Sequence, residues 1–129
     1  MSAVADAKRL VVKVGTSTLT YENGRLNLRR IESLVKVLSD LKNAGREIVL
    51  VTSGAIGVGA GHLGLKERPR DIGGKQAAAA VGQCELMYTY DKQFSEYGHV
   101  TAQVLLTRDV VEDDRRKSNV VNTLCRLLE

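Results

Sequence analysis

Two rhythms of apolar residues run along this chain. Arg9–Val14 reads Arg-Leu-Val-Val-Lys-Val, a β-branched run of strand length, and ends at Gly15-Thr16-Ser17, a small polar segment suited to a turn. After a loop holding Asn23-Gly24, apolar residues return at Leu28, Ile31, Leu34, Val35, Leu38 and Leu41. Steps of three and four put these on one helical face, with Asn27 as the N-cap and Gly45 as the stop. Ile48-Val49-Leu50-Val51 is a continuous apolar run, the pattern of a strand buried on both faces. Thr52-Ser53-Gly54-Ala55 follows and leads into a glycine-rich stretch. Residues 75–94, with four successive alanines from Ala77 to Ala80, predict a long helix. Residues 100–106 predict a third strand. Residues 119–128 predict a last helix with Val120, Val121, Leu124, Leu127 and Leu128 on its apolar face.

The resulting order, β-α-β-α-β-α, argues for a parallel sheet covered by helices in a single α/β domain. There is no internal repeat, low-complexity tract or linker. The final Leu127-Leu128-Glu129 falls inside a helical pattern without a cap, and three strands make a small, incompletely covered sheet, so the chain reads as cut.

Composition narrows the class. Of 129 residues, 43% are apolar and 26% charged, the balance of an ordinary globular protein. No run approaches the ~20 apolar residues of a membrane span, and the first residues lack the apolar core of a signal peptide. Membrane attachment is therefore not expected, and a cytoplasmic location is. The formal charge of +4 is dispersed among acidic residues, aromatics are 4% and tryptophan is absent, which disfavours a nucleic-acid surface with its one-sign stripe and stacking rings. Cys84 and Cys125 are far apart, lack a Cys-x-x-Cys pattern and read as reduced, packed residues.

Candidate chemistry gathers at the strand ends. Lys13 interrupts an apolar strand immediately before Gly15-Thr16-Ser17; alone it could be an edge lysine whose ammonium snorkels to water. In open parallel sheets, however, ligands bind at the carboxyl ends of strands. The turn after Lys13 offers backbone N–H groups and two hydroxyls suited to phosphate oxygens. Thr52-Ser53-Gly54-Ala55 ends the second strand at the same edge of a right-handed βαβ unit. A helix beginning near Gly54 would face the crevice with its free N–H groups.

Other signals fail. Gly59-Ala60-Gly61-His62-Leu63-Gly64 matches G-x-G-x-x-G but lies beyond the strand-to-helix turn where a dinucleotide fingerprint must sit. Gly73-Gly74-Lys75 lacks the first glycine and the hydroxyl residue of a P-loop. His62 and His99 are isolated. Asp109, Glu112, Asp113 and Asp114 read as a solvated loop rather than a magnesium site, and no metal ligand is assigned.

Together, four segments carry a resemblance. Val11-Val12-Lys13-Val14-Gly15-Thr16-Ser17 resembles the opening phosphate-binding segment of the glutamate 5-kinases, within the amino-acid kinase family. Val49-Leu50-Val51-Thr52-Ser53-Gly54-Ala55-Ile56 is similar to their glutamate-binding turn. Lys75-Gln76-Ala77-Ala78-Ala79-Ala80-Val81-Gly82-Gln83 is similar to their next helix, and Gln103-Val104-Leu105-Leu106-Thr107-Arg108 to the strand after it. The segments occur in order from about Arg9 to the end.

The resemblance implies an α/β/α three-layer sandwich with a mainly parallel sheet, of which residues 1–129 would be the amino-terminal part. It implies ATP-dependent phosphorylation of L-glutamate to glutamyl 5-phosphate, on the route to proline, with Mg2+ on the nucleotide. Lys13 would contact the transferring phosphoryl group. Gly15, Thr16 and Ser17 would lie along the phosphates, and Ser53, Gly54 and Ala55 against glutamate. A homo-oligomer is expected of the intact protein, with glutamyl phosphate reductase a candidate partner. Such kinases continue with Asn-Asp and Asp-Asn-Asp type segments, a Thr-Asp pair and a second lysine, none of which lies in this chain, so the chain alone is expected to be inactive. Acetylglutamate, carbamate and uridylate kinases share the Lys-x-Gly opening and are the nearest alternatives. A non-catalytic, truncated interaction module is the alternative of another class.

Overall fold

A computed structural model describes residues 3–129. Strands β1 (Arg9–Val14) and β2 (Glu47–Thr52) form a parallel two-stranded sheet, in register from Arg9 opposite Glu47 to Val14 opposite Thr52. Parallel partners require a crossover. Here it comprises α1 (Thr16–Leu19), an isolated bridge between Thr20 and Leu26, and α2 (Leu28–Asn43). Helices α3 (Ala55–His62), α4 (Ile72–Ser95), α5 (Arg108–Glu112) and α6 (Asp114–Leu128) complete the order.

Local chemistry sets the helix ends. The Asn27 side chain accepts from the Arg30 N–H at 3.2 Å and caps α2. At the other end Gly45, at φ 88°, carries the chain out of the helix, and the Arg46 N–H returns to the Leu41 carbonyl at 3.2 Å. Asp71 caps α4 and Asp113 caps α6 in the manner of Asn27, accepting from the Gly74 and Arg116 amides.

The core lies on one side of the sheet. Val14 joins Leu19, Leu26, Ile31, Val35, Val58, Leu86 and Tyr90 in one cluster, with Val12 and Leu50 packed against it. Alternation sends Arg9, Val11 and Lys13 to the opposite face, which is open: Val11 is 65% exposed and Val51 42%. The expectation that β2 is buried on both faces is therefore corrected, because α2, α3 and α4 supply core residues to only one.

The α/β class and the parallel sheet are as expected, but the described residues hold two strands rather than three. Residues 100–106, expected as a third strand, carry no regular structure. A groove of about 520 Å3, lined by residues 48–52 of β2 and by residues 99–106, separates the two segments. A strand exists through its ladder of hydrogen bonds, and across this groove the segment has no ladder partner. Val100 and Leu105 are left exposed.

The acidic segment is also not a loop. Asp109 and Glu112 fall in α5, Asp113 caps α6, and Asp114 opens it. Finally, α6 begins five residues earlier than its apolar pattern suggested, since the charged residues 114–117 and Ser118 form its exposed first turn and a half.

Candidate functional site

The ladder ends at Val14 opposite Thr52, so Gly15 and Ser53 are the first residues beyond the sheet, at one edge. Lys13 pairs in register with Val51. Its side chain is exposed on the open face, while Val14 enters the core. Gly15, Thr16 and Ser17 are not an irregular turn: Gly15 precedes the four-residue α1, and the Thr18 N–H returns to the Gly15 carbonyl at 3.1 Å. The Thr16 and Ser17 amides precede that first internal bond, as opening amides of a helix do.

Thr16 reaches the other turn. A Cβ on Gly54 would stand 2.8 Å from Thr16 Oγ1 and 3.0 Å from its Cγ2. Gly54 holds φ 101° and directly precedes α3, whose first return bond runs from the Val58 N–H to the Gly54 carbonyl at 2.9 Å. The positive φ and the close approach both require glycine here. One turn on, a Cβ at Gly57 would meet Arg68 Nη2 at 2.7 Å and Thr16 Cγ2 at 3.3 Å. The structure thus brings Thr16, Gly54 and Gly57 together and adds Arg68, which the sequence did not single out. In Lys66-Glu67-Arg68-Pro69-Arg70-Asp71 nothing marks Arg68 over Arg70. Ser53 and Ser17 lie exposed beside these contacts, and Ala55 is half-buried as the first residue of α3.

The glycine-rich stretch serves packing. Gly59 and Gly61 lie within α3, not in a strand-to-helix turn. A Cβ on Gly59 would stand 1.7 Å from the Ala78 carbonyl oxygen, and one on Gly82 would stand 1.8 Å from that of Ala55. The missing side chains let α3 and α4 cross backbone to backbone. Gly73, Gly74 and Lys75 form the first turn of α4 under the Asp71 cap.

The titratable groups around this edge have local roles. His62 is not isolated: its Nδ1, on α3, lies 2.7 Å from Glu85 Oε2, on α4. Asp109 meets Arg116 at 2.8 Å and Glu112 meets Arg108 at 2.7 Å. The Thr107 hydroxyl, with the Asp109 amide and Arg116 in support, holds the Asp109 carboxyl below its usual range. Among the described residues no group of three His, Cys, Asp or Glu side chains could hold a metal ion. Cys84 and Cys125 are free thiols, but both are exposed rather than packed. Cys84 borders a cavity beside Ala55, and α6, which carries Cys125, contributes no buried residue. Tyr90, 3% exposed, lines the groove, and its buried hydroxyl has no well-formed hydrogen bond. Burial pushes its phenol up, and the Thr52 hydroxyl offsets part of that rise.

Parallel strands, a crossover helix and paired turns at the carboxyl edge define a class of α/β protein that handles ligands at that edge. The sequence profile described as the Amino acid kinase family matches residues 8–129, and the chain belongs to that family. It is 65% identical over 127 residues to the glutamate 5-kinase of Clostridium perfringens, covering 98% of this chain and 47% of that protein. It is 58% identical over 127 residues to the glutamate 5-kinase of Listeria innocua, at 98% and 46% coverage. To that of Moorella thermoacetica it is 60% identical over 126 residues, at 98% and 33% coverage. The chain spans about half the length, or less, of these relatives. No helix among the described residues is long and apolar enough to cross a membrane.

Proposed function

We propose that this chain is the amino-terminal part of an amino-acid kinase domain whose intact protein transfers the γ-phosphoryl group of ATP to the side-chain carboxylate of L-glutamate. The observation that carries the reading is the contact between Thr16 and Gly54, which joins the turns after β1 and β2 at the carboxyl edge. The named relatives supply the substrate.

In this reading Lys13 neutralises charge on the transferring phosphoryl group, and the Gly15, Thr16 and Ser17 segment lines the phosphates. Ser53, Gly54 and Ala55 lie against glutamate. A carboxylate oxygen attacks the γ-phosphorus, the bond to the β–γ bridging oxygen breaks, and ADP departs with that electron pair. The attacking carboxylate is already ionised at neutral pH, so no general base is required. Positioning and charge stabilisation carry phosphoryl transfer.

Magnesium would accompany the nucleotide and offset charge on its phosphates. The product is a mixed anhydride, a reactive species, which supports prompt consumption by a glutamyl phosphate reductase. Association of copies in the intact protein belongs to the same reading. A cytoplasmic location fits the supply of ATP and glutamate.

Calorimetric titration of the chain with ATP and magnesium tests the cradle. Binding that weakens by about tenfold or more in Lys13→Ala is expected of a charge-assisted phosphate contact. A folded chain that binds no ATP would overturn the claim that its two turns form a nucleotide cradle. The chain alone is expected to form no glutamyl phosphate, and ATP-dependent formation of it would show that these residues suffice.

A further inference from the structure

Strand β2 has a free edge. It pairs with β1 on one side, and among the described residues it has no ladder partner on the other. The groove of about 520 Å3 is lined by residues 48–52 of β2 and by no residue of β1, so it runs along that free edge. Residues 99–106 form the far wall, α4 contributes Met87, Tyr90 and Phe94, and the last turn of α6 contributes Leu124, Leu127 and Leu128. The far wall is anchored away from β2. The His99 N–H donates to the Phe94 carbonyl at 3.1 Å, and the Thr101 hydroxyl donates to Asp91 Oδ1 at 2.7 Å. Both bonds tie the start of this wall to the last turns of α4.

The lining states what kind of guest it suits. Its apolar side chains call for apolar side chains in return. An unpaired strand edge calls for backbone donors and acceptors. Two further polar atoms in residues of the lining, Tyr90 Oη and His99 Nε2, are buried without a well-formed hydrogen bond. A purely apolar guest would leave all of these unanswered. A β-strand answers both needs, because its backbone bonds sideways while its side chains point up and down.

The connection supplies the source and the direction. A segment joined to the carboxyl end of α6 emerges beside the groove, since the last turn of that helix lines it. A helical crossover returns a strand parallel to the one it left. The glutamate 5-kinase of Clostridium perfringens, of which this chain covers 47%, holds ample further chain for one more strand.

We infer that the groove is an acceptor for one inserted apolar β-strand, parallel to β2 and supplied by the carboxyl-terminal half of the intact protein. Its arrival completes the free edge of β2 and turns residues 100–106 into a strand on its far side. The choice of supplier rests on the reading of this chain as the amino-terminal part of a kinase domain. The acceptor itself is built entirely by this chain, so it also takes the strand as a separate peptide, by strand addition.

The probe is a synthetic peptide of about twelve residues, a short connection plus one strand. Its sequence is that of the Clostridium perfringens protein immediately after the matched stretch. Fluorescence anisotropy of the labelled peptide reads binding, and hydrogen exchange reads the ladder. Saturable binding is expected, with the amides of residues 48–52 and 100–106 exchanging at least about tenfold more slowly. A central proline in the peptide removes a ladder donor and should weaken binding by about tenfold or more. Leu105→Asp and Leu127→Asp should do the same by placing a charge in the groove. Both residues are exposed in the free chain, so their replacement leaves its core intact. Val11→Asp, on the open sheet face and outside the groove, is expected to stay within about twofold.

A folded wild-type chain that does not bind the peptide overturns the inference. So does binding that leaves either segment exchanging as before, tolerates the proline, or responds to Val11→Asp as strongly as to Leu127→Asp. Protection of residues 100–106 in the peptide-free monomer would mean that they close on β2 unaided. The same protection in a peptide-free dimer would make a second copy the occupant; either result removes the inserted strand. Titration with ATP separates this acceptor from the kinase reading. Peptide binding by a chain that ignores ATP keeps the acceptor and removes the nucleotide cradle, and the reverse keeps the cradle and removes the acceptor.

Discussion

Thr16 Oγ1 lies 2.8 Å from the point where a Cβ on Gly54 would stand, so the turns after the two strands are in van der Waals contact rather than merely at the same edge. Gly54→Ala meets two penalties, a positive φ and the Thr16 side chain. The first costs about 1–2 kcal/mol, and the clash adds to it. Urea unfolding is expected to show Gly54→Ala less stable by at least that amount. In the Thr16→Ala/Gly54→Ala double variant, only the clash should be recovered. Full recovery in the double variant would mean that the left-handed backbone costs nothing.

The crossing of α3 and α4 depends on glycine more severely. At Gly59 and Gly82 an added methyl would stand 1.7 and 1.8 Å from carbonyl oxygens of the facing helix. Backbone cannot yield as a side-chain end can, so Gly59→Ala or Gly82→Ala is expected to cost about 3 kcal/mol or more. Gly73→Ala is the matched control. Its nearest neighbour would be Asp71 Oδ2 at 3.6 Å, and the change should be neutral or stabilising by up to about 1 kcal/mol. Thermal melts of the three variants separate the two outcomes.

Tyr90 makes stability sensitive to alkaline pH. Burial raises its phenol in the folded state above the unfolded value of about 10. The folded chain therefore holds this proton more tightly. The contribution is complete below about pH 10 and is lost as pH rises through the folded value. Tyr90→Phe is expected to flatten the alkaline limb of a denaturation-midpoint profile. At neutral pH it should be neutral or stabilising by up to about 1 kcal/mol, since it removes a buried hydroxyl without a well-formed partner. A steep alkaline loss that survives in Tyr90→Phe would assign the effect elsewhere.

Glu47 works in the opposite direction. Hydrogen bonding from Arg9 at 2.7 Å, with Lys8 at 3.6 Å, holds its carboxyl below the usual value. That contribution is present above the unfolded value of about 4.3 and disappears as pH falls through the lowered folded value. Glu47 pairs with Arg9 at the first rung of the sheet. Glu47→Gln should therefore lower stability at neutral pH slightly and reduce its fall on acidification. Unchanged acid sensitivity would show that the exposed pair contributes nothing, as many such pairs do.

Much of this architecture could be read from the chain. Arg9–Val14 and the Asn27 cap to Gly45 exit of α2 follow from local rules, because alternation, 3.6-residue spacing and side-chain capping act within a few residues. The expectation that the ends of β1 and β2 share an edge also followed from order, since a βαβ connection leaves little choice. The misses arise where a residue's state depends on distant partners. Residues 100–106 have strand-like composition but no ladder beside β2, and Val11 and Val51 have core-like composition but no covering helix.

The sequence by itself determined the long helices α2 and α4 and the body of α6, that β1 and β2 run parallel, and that Lys13, Thr16, Ser53 and Gly54 gather near one edge. Only the tertiary structure decided that Thr16 touches Gly54, that Gly59 and Gly82 serve a helix crossing, and that Arg68 rather than Arg70 reaches Gly57. Periodicity and capping are short-range and leave a mark in neighbouring letters. Close approach between segments depends on volumes filled from several parts of the chain at once, and no single stretch of sequence carries that information.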